Sequence, residues 1–501
     1  MKKNETDIAG RLRDFLPFAP LPIQEGLIMA LGCFAEDADP RGVFILNGYA
    51  GTGKTSIVGA FVKALESLGR KTVVLAPTGR AAKVAGGMSG GKSSTIHRRI
   101  YHPQAGAAPG SETICLSPNR DKDTLFIVDE ASLVTGGSGR GLLENLVRHV
   151  YSAPGCRMLL VGDTAQLPPV GQEDSPAMKE ETLRRLGLAP VTYTLDIPVR
   201  QEGGSGILYN ATTVRHALFK AMEKPAASPL PSIFTSGVFV NAPVLPKLPG
   251  LTAQGVAKPE VPPLKVSGFD DIRAVNGYEL PDRLSTSWSE VGPEETIIIT
   301  RSNKRANDYN MAIRNQVMYA EEPLQQGDRI VIAKNDYYWS AANKLRTFIA
   351  NGDVARVEWV GRVEKMYGRY FVDVELRLIQ GGERVSAKLM LRSLTTEGPS
   401  IPKAEMDRFF THVMAEQGGG EHERIMAASQ DPYYNALQAK YAYCVTCHKA
   451  QGGQWRHVYI DMAGLRKENL DISYLRWLYT ALTRGVERVW LINPPADMLE
   501  D

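Results

Sequence analysis

The sequence predicts an α/β protein with parallel sheets, and three features carry that prediction. The stretch 43–56, VFILNGYAGTGKTS, runs from an apolar strand through a glycine-rich loop into helical spacing, the order that a phosphate-binding loop requires. Strand-sized apolar runs at 72–75, 125–128 and 157–161 each end in polar residues, as strands do where an α/β sheet opens onto a ligand. Later runs at 295–300, 457–461 and 489–492, together with 191–195, repeat the pattern and predict a second α/β sheet resembling the first.

Composition narrows the class. A chain of 501 residues suits about three domains, and 43% hydrophobic with 23% charged residues is a globular balance. A net charge of +3 does not announce a nucleic-acid binder, although a positive groove can coexist with a neutral whole. The longest apolar runs are far short of a membrane span. Residues 4–14 are polar and mixed in charge, so no signal segment is expected. Five cysteines, scattered except for Cys444 and Cys447, predict a reducing compartment, the cytoplasm, without a disulfide framework.

Taken in order, residues 21–34 open an amphipathic helix carrying Gln24. Its amide could pair with both edges of adenine or simply face solvent. In the loop, Gly48, Gly51, Thr52, Gly53, Lys54 and Thr55 form the phosphate cradle. Glycines let backbone N–H groups turn inward, and the following helix N-terminus adds its dipole. Lys54 would meet the outer phosphates and Thr55 would offer its hydroxyl to Mg²⁺. Residues 55–68 keep helical spacing and stop at Gly69. Pro77, Thr78 and Arg80 follow the strand 72–75, with His97 a little further on. Residues 101–123 are rich in Pro and Gly and read as either a small inserted β-hairpin or a loop.

The run 125–128 delivers two adjacent carboxylates, Asp129 and Glu130. The first suits Mg²⁺ and the second suits the attacking water. Gln166 follows the strand 157–161 and could reach a γ-phosphate or that water. These features predict a nucleoside-triphosphate site.

Residues 162–170, GDTAQLPPV, resemble motif III of superfamily-1 helicases, in the RecD-like and Dda-like branch. Other segments resemble that family in its order. Gln24 matches its adenine-reading glutamine, residues 48–55 motif I, and residues 76–82 and 95–98 its early DNA-contacting motifs. Asp129 and Glu130 match motif II, residues 199–201 the arginine-bearing motif IV, 446–452 motif V and 479–484 motif VI. The resemblance implies two RecA-like domains with ATP in the cleft and single-stranded DNA across the top. It also implies 5′→3′ movement. Arg200 and Arg484 would act from across the cleft, where guanidinium stabilises phosphoryl charge. Pro77, Thr78, Arg80, His97, Thr446, His448 and Lys449 would meet the DNA. RNA would suit the same backbone-tracking contacts.

Residues 444–448, CVTCH, also spell a haem-attachment pattern. One CxxC supplies too few ligands for a closed zinc site, and covalent haem would need an export route. His448, Lys449 and Gln451 are therefore read as nucleotide- or DNA-facing.

The expected layout is an ATPase domain over 1–190 with an insertion at 101–123. A second domain follows over 191–325 and 393–501, interrupted by a proline-rich stretch at 224–266. Residues 326–392 read as all-β, and the resemblance makes them a small SH3-like barrel. Within them, 369–379 alternates with Tyr370, Val372, Val374, Leu376 and Leu378 on one face. Tyr337, Tyr338 and Trp339 are read in a loop as stacking or packing aromatics. The predicted activity is ATP-driven DNA unwinding or translocation. Its rivals are a DNA-stimulated ATPase that does not unwind and a non-hydrolysing P-loop module.

Overall fold

The computed structural model describes residues 7–500 apart from 89, 91–92, 104–113, 138, 140, 199–203, 223–259, 346–347, 380–381 and 467–469. The strand Gly42–Gly48 is buried along its whole length, flanked by a strand on either side in a six-stranded sheet. The strand order is Ser93–Thr95, Lys71–Ala76, Thr124–Val128, Arg157–Gly162, Gly42–Gly48, Ala189–Leu195, and every pairing is parallel. Successive side chains of a strand point to opposite faces. Phe44 and Leu46 pack with Leu27 and Phe61 of the helices Pro22–Glu36 and Lys54–Ser67. Val43 and Ile45 pack with Leu143 and Leu146 of the helix Leu142–Val150. Burial on both faces explains the continuous apolar run.

A second, five-stranded parallel sheet has the order Ile272–Val275, Gly485–Ile492, Trp455–Asp461, Thr296–Thr300, Cys444–Thr446. The helices Gly206–Met222 and Ile472–Leu482 cover one face. The helices Leu280–Val291 and Asn303–Gln316 cover the other.

Residues 191–195, expected in the second sheet, belong to the first. Ala189–Leu195 pairs in parallel with Gly42–Gly48, Phe44 opposite Val191. It is an edge strand on which only Leu195 is fully buried, and a short run of this kind carries no mark of its partner. The first sheet thus extends past the expected boundary at 190.

A third sheet is antiparallel, in the order Arg384–Met390, Arg369–Leu378, Val354–Met366, Arg329–Ile332, Ala439–Tyr441. Its last strand comes from well beyond residue 392. Val372, Val374, Leu376 and Leu378 are buried. Tyr370, expected with them, is 54% exposed, and its neighbour Phe371 is buried instead, against Phe409 of the helix Lys403–Ala415. Tyr338–Ala342 is a short helix rather than a loop. The Trp339 indole N–H donates to the Asn435 carbonyl at 2.8 Å, and Tyr337 packs on Phe348. Tyr338 packs edge-on against Trp339, so each of the three half-buried rings has a packing partner. Residues 101–123 do contain a hairpin: Tyr101–Pro103 pairs antiparallel with Ile114–Leu116. Its tip and most of the proline-rich stretch lie outside the described residues, although Leu264–Lys265 pairs in parallel with Leu499–Glu500.

The antiparallel sheet is joined to the second parallel sheet by one core, in which Val357 and Leu376 cluster with Ile298 and Tyr459. A buried ion pair sits at this junction. Arg314 reaches Asp328 through Nε at 3.1 Å and Nη2 at 3.0 Å, and Asp328 also accepts from the Tyr443 hydroxyl at 2.9 Å. Removing one partner of a buried pair strands the other charge at a cost of about 3–5 kcal/mol. Arg314→Ala is expected to lose about that much stability in urea unfolding followed by tryptophan fluorescence. A loss below about 1 kcal/mol, typical of surface pairs, would contradict this assignment.

Candidate functional site

In a parallel sheet all strands end at one edge, and the three central strands of the first sheet deliver the expected chemistry there. Gly42–Gly48 runs into the loop 49–53, in which Gly51 (φ 76°) and Gly53 (φ 86°) hold the left-handed conformation that glycine adopts without strain. A Cβ at Gly48 would strike the Lys54 side chain, and one at Gly51 would strike Leu208. The loop is therefore a close-fitting cradle opening onto the N-terminus of the helix Lys54–Ser67. Lys54 Nζ donates to the carbonyls of Gly48 and Tyr49. Thr52 is buried and its hydroxyl donates to the Tyr49 carbonyl at 2.8 Å.

Gln24 is fully buried behind this loop. Its Nε2 donates to the Thr52 carbonyl at 3.0 Å and its Oε1 accepts from the Leu21 N–H at 2.9 Å. Its nitrogen ties the helix Pro22–Glu36 to the loop and its oxygen caps that helix's own N-terminus, so neither end faces solvent.

Thr124–Val128 ends in Asp129 and Glu130. Glu130 adopts φ 51°, ψ 38°, a left-handed conformation that costs a non-glycine residue about 1–3 kcal/mol. Its N–H donates to Asp129 Oδ1 at 2.9 Å. Burial raises the Asp129 carboxyl to about 7; the Glu130 charge adds to the rise, while the Glu130 N–H and the Lys54 ammonium oppose it. A carboxyl held this way favours a cation beside it. Thr55 and Asp129 are the oxygen donors of the kind that hold Mg²⁺, which takes few protein ligands and completes its shell from water and phosphate. The glycine cradle and this donor set fit a Mg²⁺–polyphosphate.

Arg157–Gly162 ends in Asp163, a residue to which sequence reasoning gave no role. Asp163 is buried and accepts from the Ala165 N–H at 3.0 Å and from the Tyr479 hydroxyl at 2.7 Å. Gln166 lies beside it, with Nε2 3.5 Å from Asp163 Oδ2 and a buried Oε1 that has no partner. The signal for Asp163 was available: it follows its strand as Asp129 does.

The second half closes on this edge through the helix Ile472–Leu482. The Tyr479 hydroxyl accepts from the Ala50 N–H at 2.9 Å. Thr480 Oγ1 accepts from the Leu167 N–H at 2.9 Å, and Gln451 Nε2 donates to the Leu167 carbonyl at 2.6 Å. Arg476 lies 3.4 Å from the carbonyls of Thr164 and Gln166. Tyr49, Ala165 and Leu167 join the apolar core of the second half. Gln451 was expected to face nucleotide or DNA and instead bonds Leu167, whereas Tyr479, Thr480 and Arg476 had been given no individual role.

Arg484 lies nearby but is buried and turned inward. Its guanidinium donates to Thr480 O at 3.0 Å, Gly453 O at 3.1 Å and Thr483 Oγ1 at 3.1 Å. Arg200 lies outside the described residues.

Pro77 and Thr78 follow Lys71–Ala76, and Thr78 caps the helix Gly79–Gly86 through the Ala81 N–H at 3.2 Å. This helix end touches the second half at Gly452, where a Cβ would meet Ala81 and Thr78. Arg80 stacks 3.8 Å over the Trp455 ring and donates to the Gln454 carbonyl at 2.6 Å. Burial, with Arg329 adding repulsion, lowers it to about 10. Its guanidinium is committed to the contact between the halves.

His97 lies on the short helix Ile96–Ile100, its ring 5.6 Å from Tyr101, and burial lowers its pKa. Thr446 ends the strand paired with Thr300. His448 and Lys449 follow on the helix Cys447–Ala450, the first exposed and the second half-buried, with burial lowering the Lys449 pKa. Lys449 and Lys440 line a cleft with Asn303 and Asn307. Burial and the Lys449 charge bring Lys440 to about 8. Cys444 and Cys447 are buried thiols pushed upward, the latter to about 12, which keeps them protonated and poor ligands.

The fold and its edge define a P-loop protein of two α/β halves, the second gripping the phosphate loop of the first. A family profile described as "AAA domain" matches residues 36–190, and one described as "UvrD-like helicase C-terminal domain" matches 441–492. These profiles cover most of the phosphate-loop sheet and the stretch from Cys444–Thr446 to Gly485–Ile492, so the chain is similar to ATPase and helicase families over those two segments.

It is 42% identical over 152 residues to the ATP-dependent RecD2 DNA helicase of Deinococcus radiodurans, covering 30% of this chain and 19% of that protein. It is 31% identical over 137 residues to the ATP-dependent DNA helicase dda of Enterobacteria phage T4, covering 26% and 29%. The alignments thus span less than a third of these relatives. A crystal structure of Pif1 helicase from Bacteroides with ADP-AlF3 and single-stranded DNA aligns over 97% of this chain and 95% of that one, at 15% identity and a TM-score of 0.44.

The raised Asp129 carboxyl has a stability consequence. Between the ordinary value of 3.8 and about 7 the folded chain holds a proton that the unfolded chain has lost, so stability falls as pH rises through that window. Asp129→Asn, which keeps the bond from Glu130, is expected to melt above the wild type at pH 8 in the presence of EDTA. The gap should shrink toward pH 5. A gap independent of pH, or one of opposite sign, would contradict the assigned environment.

Proposed function

We propose that the chain is an ATP-driven DNA helicase or translocase that moves 5′→3′ on single-stranded DNA. The observation that carries this reading is the grip of the helix Ile472–Leu482 on both the phosphate loop and the loop 163–167. A motor needs the nucleotide to alter the fit between two halves, and here one helix touches both nucleotide-side loops. The named activities of RecD2 and Dda agree with this reading.

In this reading Lys54 neutralises phosphate charge, and Thr55 and Asp129 hold Mg²⁺. The ion, when bound, offsets charge on the phosphates. Glu130 takes the proton of the attacking water, a role that contributes about 10²–10⁴-fold. Gln166 links hydrolysis to motion. Arg200 and Arg484 stabilise phosphoryl charge, for which Arg484 must exchange its carbonyl partners. Gln24 must likewise release the Leu21 N–H to read adenine. Pro77, Thr78, His97, Thr446, His448 and Lys449 line the DNA track, and Arg80 must leave Trp455 to join them. The antiparallel sheet serves as the SH3-like insertion that helps grip it. Among the described residues no helix is long and apolar enough to cross a membrane, and the five free cysteines suit a reducing compartment, the cytoplasm.

ATP hydrolysis with and without a single-stranded DNA oligonucleotide tests the reading. Stimulation by DNA is expected, with a loss of about 10²-fold or more in Lys54→Ala. Hydrolysis indifferent to DNA would remove the motor. Shortening the hairpin built on Tyr101–Pro103 and Ile114–Leu116 should abolish unwinding of a forked duplex and spare hydrolysis. Unwinding that survives would remove the hairpin as the strand separator.

A further inference from the structure

The Tyr479 hydroxyl is the one described group of the second half seen bonding both the phosphate loop and the loop after Gly162. It accepts from the Ala50 N–H at 2.9 Å and donates to Asp163 Oδ2 at 2.7 Å. The ring is buried, in one cluster with Tyr49, Ala165 and Leu167. A neutral hydroxyl has one proton to give and lone pairs to receive, so this one is committed in both directions. Asp163 is likewise committed, because its Oδ1 accepts from the Ala165 N–H at 3.0 Å. The result is an uninterrupted run of hydrogen bonds from Ala50 through Tyr479 and Asp163 to Ala165.

We propose that Tyr479 is a positioning residue that transmits the state of the phosphate loop to the loop 163–167 and to its own helix. The inference rests on reading the loop as a nucleotide site. A phosphate settling into the loop shifts the backbone around Ala50, and the hydroxyl must follow or break its bond. Because the ring is packed on all sides, following means moving the helix Ile472–Leu482. Asp163 moves with it, carrying Gln166. Thr480, Gln451 and Arg476 hold the backbone at 164–167, and none has a recorded bond to the phosphate loop. They grip one of the two loops, whereas Tyr479 joins them.

The test is hydrogen exchange of the full chain with and without AMP-PNP and Mg²⁺, in the wild type, Tyr479→Phe, Asp163→Asn and Thr480→Val. In the wild type the nucleotide is expected to slow exchange at 48–55, at 163–167 and at 472–482. Tyr479→Phe keeps the ring and removes the hydroxyl. It should retain the effect at 48–55 and lose at least threefold of it at the other two segments. Asp163→Asn breaks the other half of the bridge without touching the aromatic packing and should show the same split, so a Phe variant that fails to fold leaves the inference open to refutation. Thr480→Val should respond as the wild type does.

Equal responses in the wild type and both bridge variants would overturn the role of Tyr479. So would a Thr480→Val that loses the response as fully, because that outcome describes general packing. No effect of the nucleotide at 48–55 in the wild type would instead refute the nucleotide site itself, and the inference with it.

Discussion

The backbone of residues 49–53 can only take its path because Gly51 and Gly53 hold left-handed conformations, and the rest of the site is arranged around that path. Gln24 braces the loop from behind through the Thr52 carbonyl. Lys54 reaches back over it to the carbonyls of Gly48 and Tyr49. Tyr479 meets it from the other half. The three flanking carboxylates, Asp129, Glu130 and Asp163, arrive on neighbouring strands, so parallel register sets their spacing. Few of these contacts survive a change in the loop, and each leads to a different part of the molecule.

The site also holds energy that the fold does not need. Glu130 is in a strained conformation, the Asp129 carboxyl is raised by burial beside it, and Gln166 Oε1 is buried without a partner. Each of these is unfavourable alone and intelligible if a charged ligand relieves it. The contact between the halves is of the opposite kind. Arg80 both stacks on Trp455 and donates to the Gln454 carbonyl, and Thr480 and Gln451 bond the N–H and the carbonyl of Leu167. Rigid joints and a tense centre are what a device that passes on a local change requires.

Much of this was legible in the sequence because it follows from local rules. A continuous apolar run means burial on both faces, and glycine at fixed offsets means a loop that only glycine can make. Those rules found the strand Gly42–Gly48, the loop and the carboxylates after Val128. They did not find partners. Ala189–Leu195 looks like any half-exposed strand, and only its pairing with Gly42–Gly48 assigns it to the first sheet. Ala439–Tyr441 is three residues long, and its neighbour in space is Arg329–Ile332, far away in sequence. Trp339 was read as either stacking or packing, because nothing local points to the Asn435 carbonyl. Tyr479 stood inside a recognisable motif, yet its two bonds lie on residues hundreds of positions earlier. Periodicity reports which face is buried and is silent on what buries it.

The order of strands bears on how the molecule comes into being. The first sheet has all six members once Leu195 has been made, whereas the second waits for Gly485–Ile492 to slot between Ile272–Val275 and Trp455–Asp461. During synthesis the first half can therefore assemble early, while the strands Ile272–Val275 and Thr296–Thr300 remain without neighbours until the last part of the chain emerges. The helix that grips the phosphate loop belongs to that last part. A growing chain thus acquires a folded nucleotide cradle well before it acquires the element that could make use of what happens there. The two halves can join only after Gly485–Ile492 has been made.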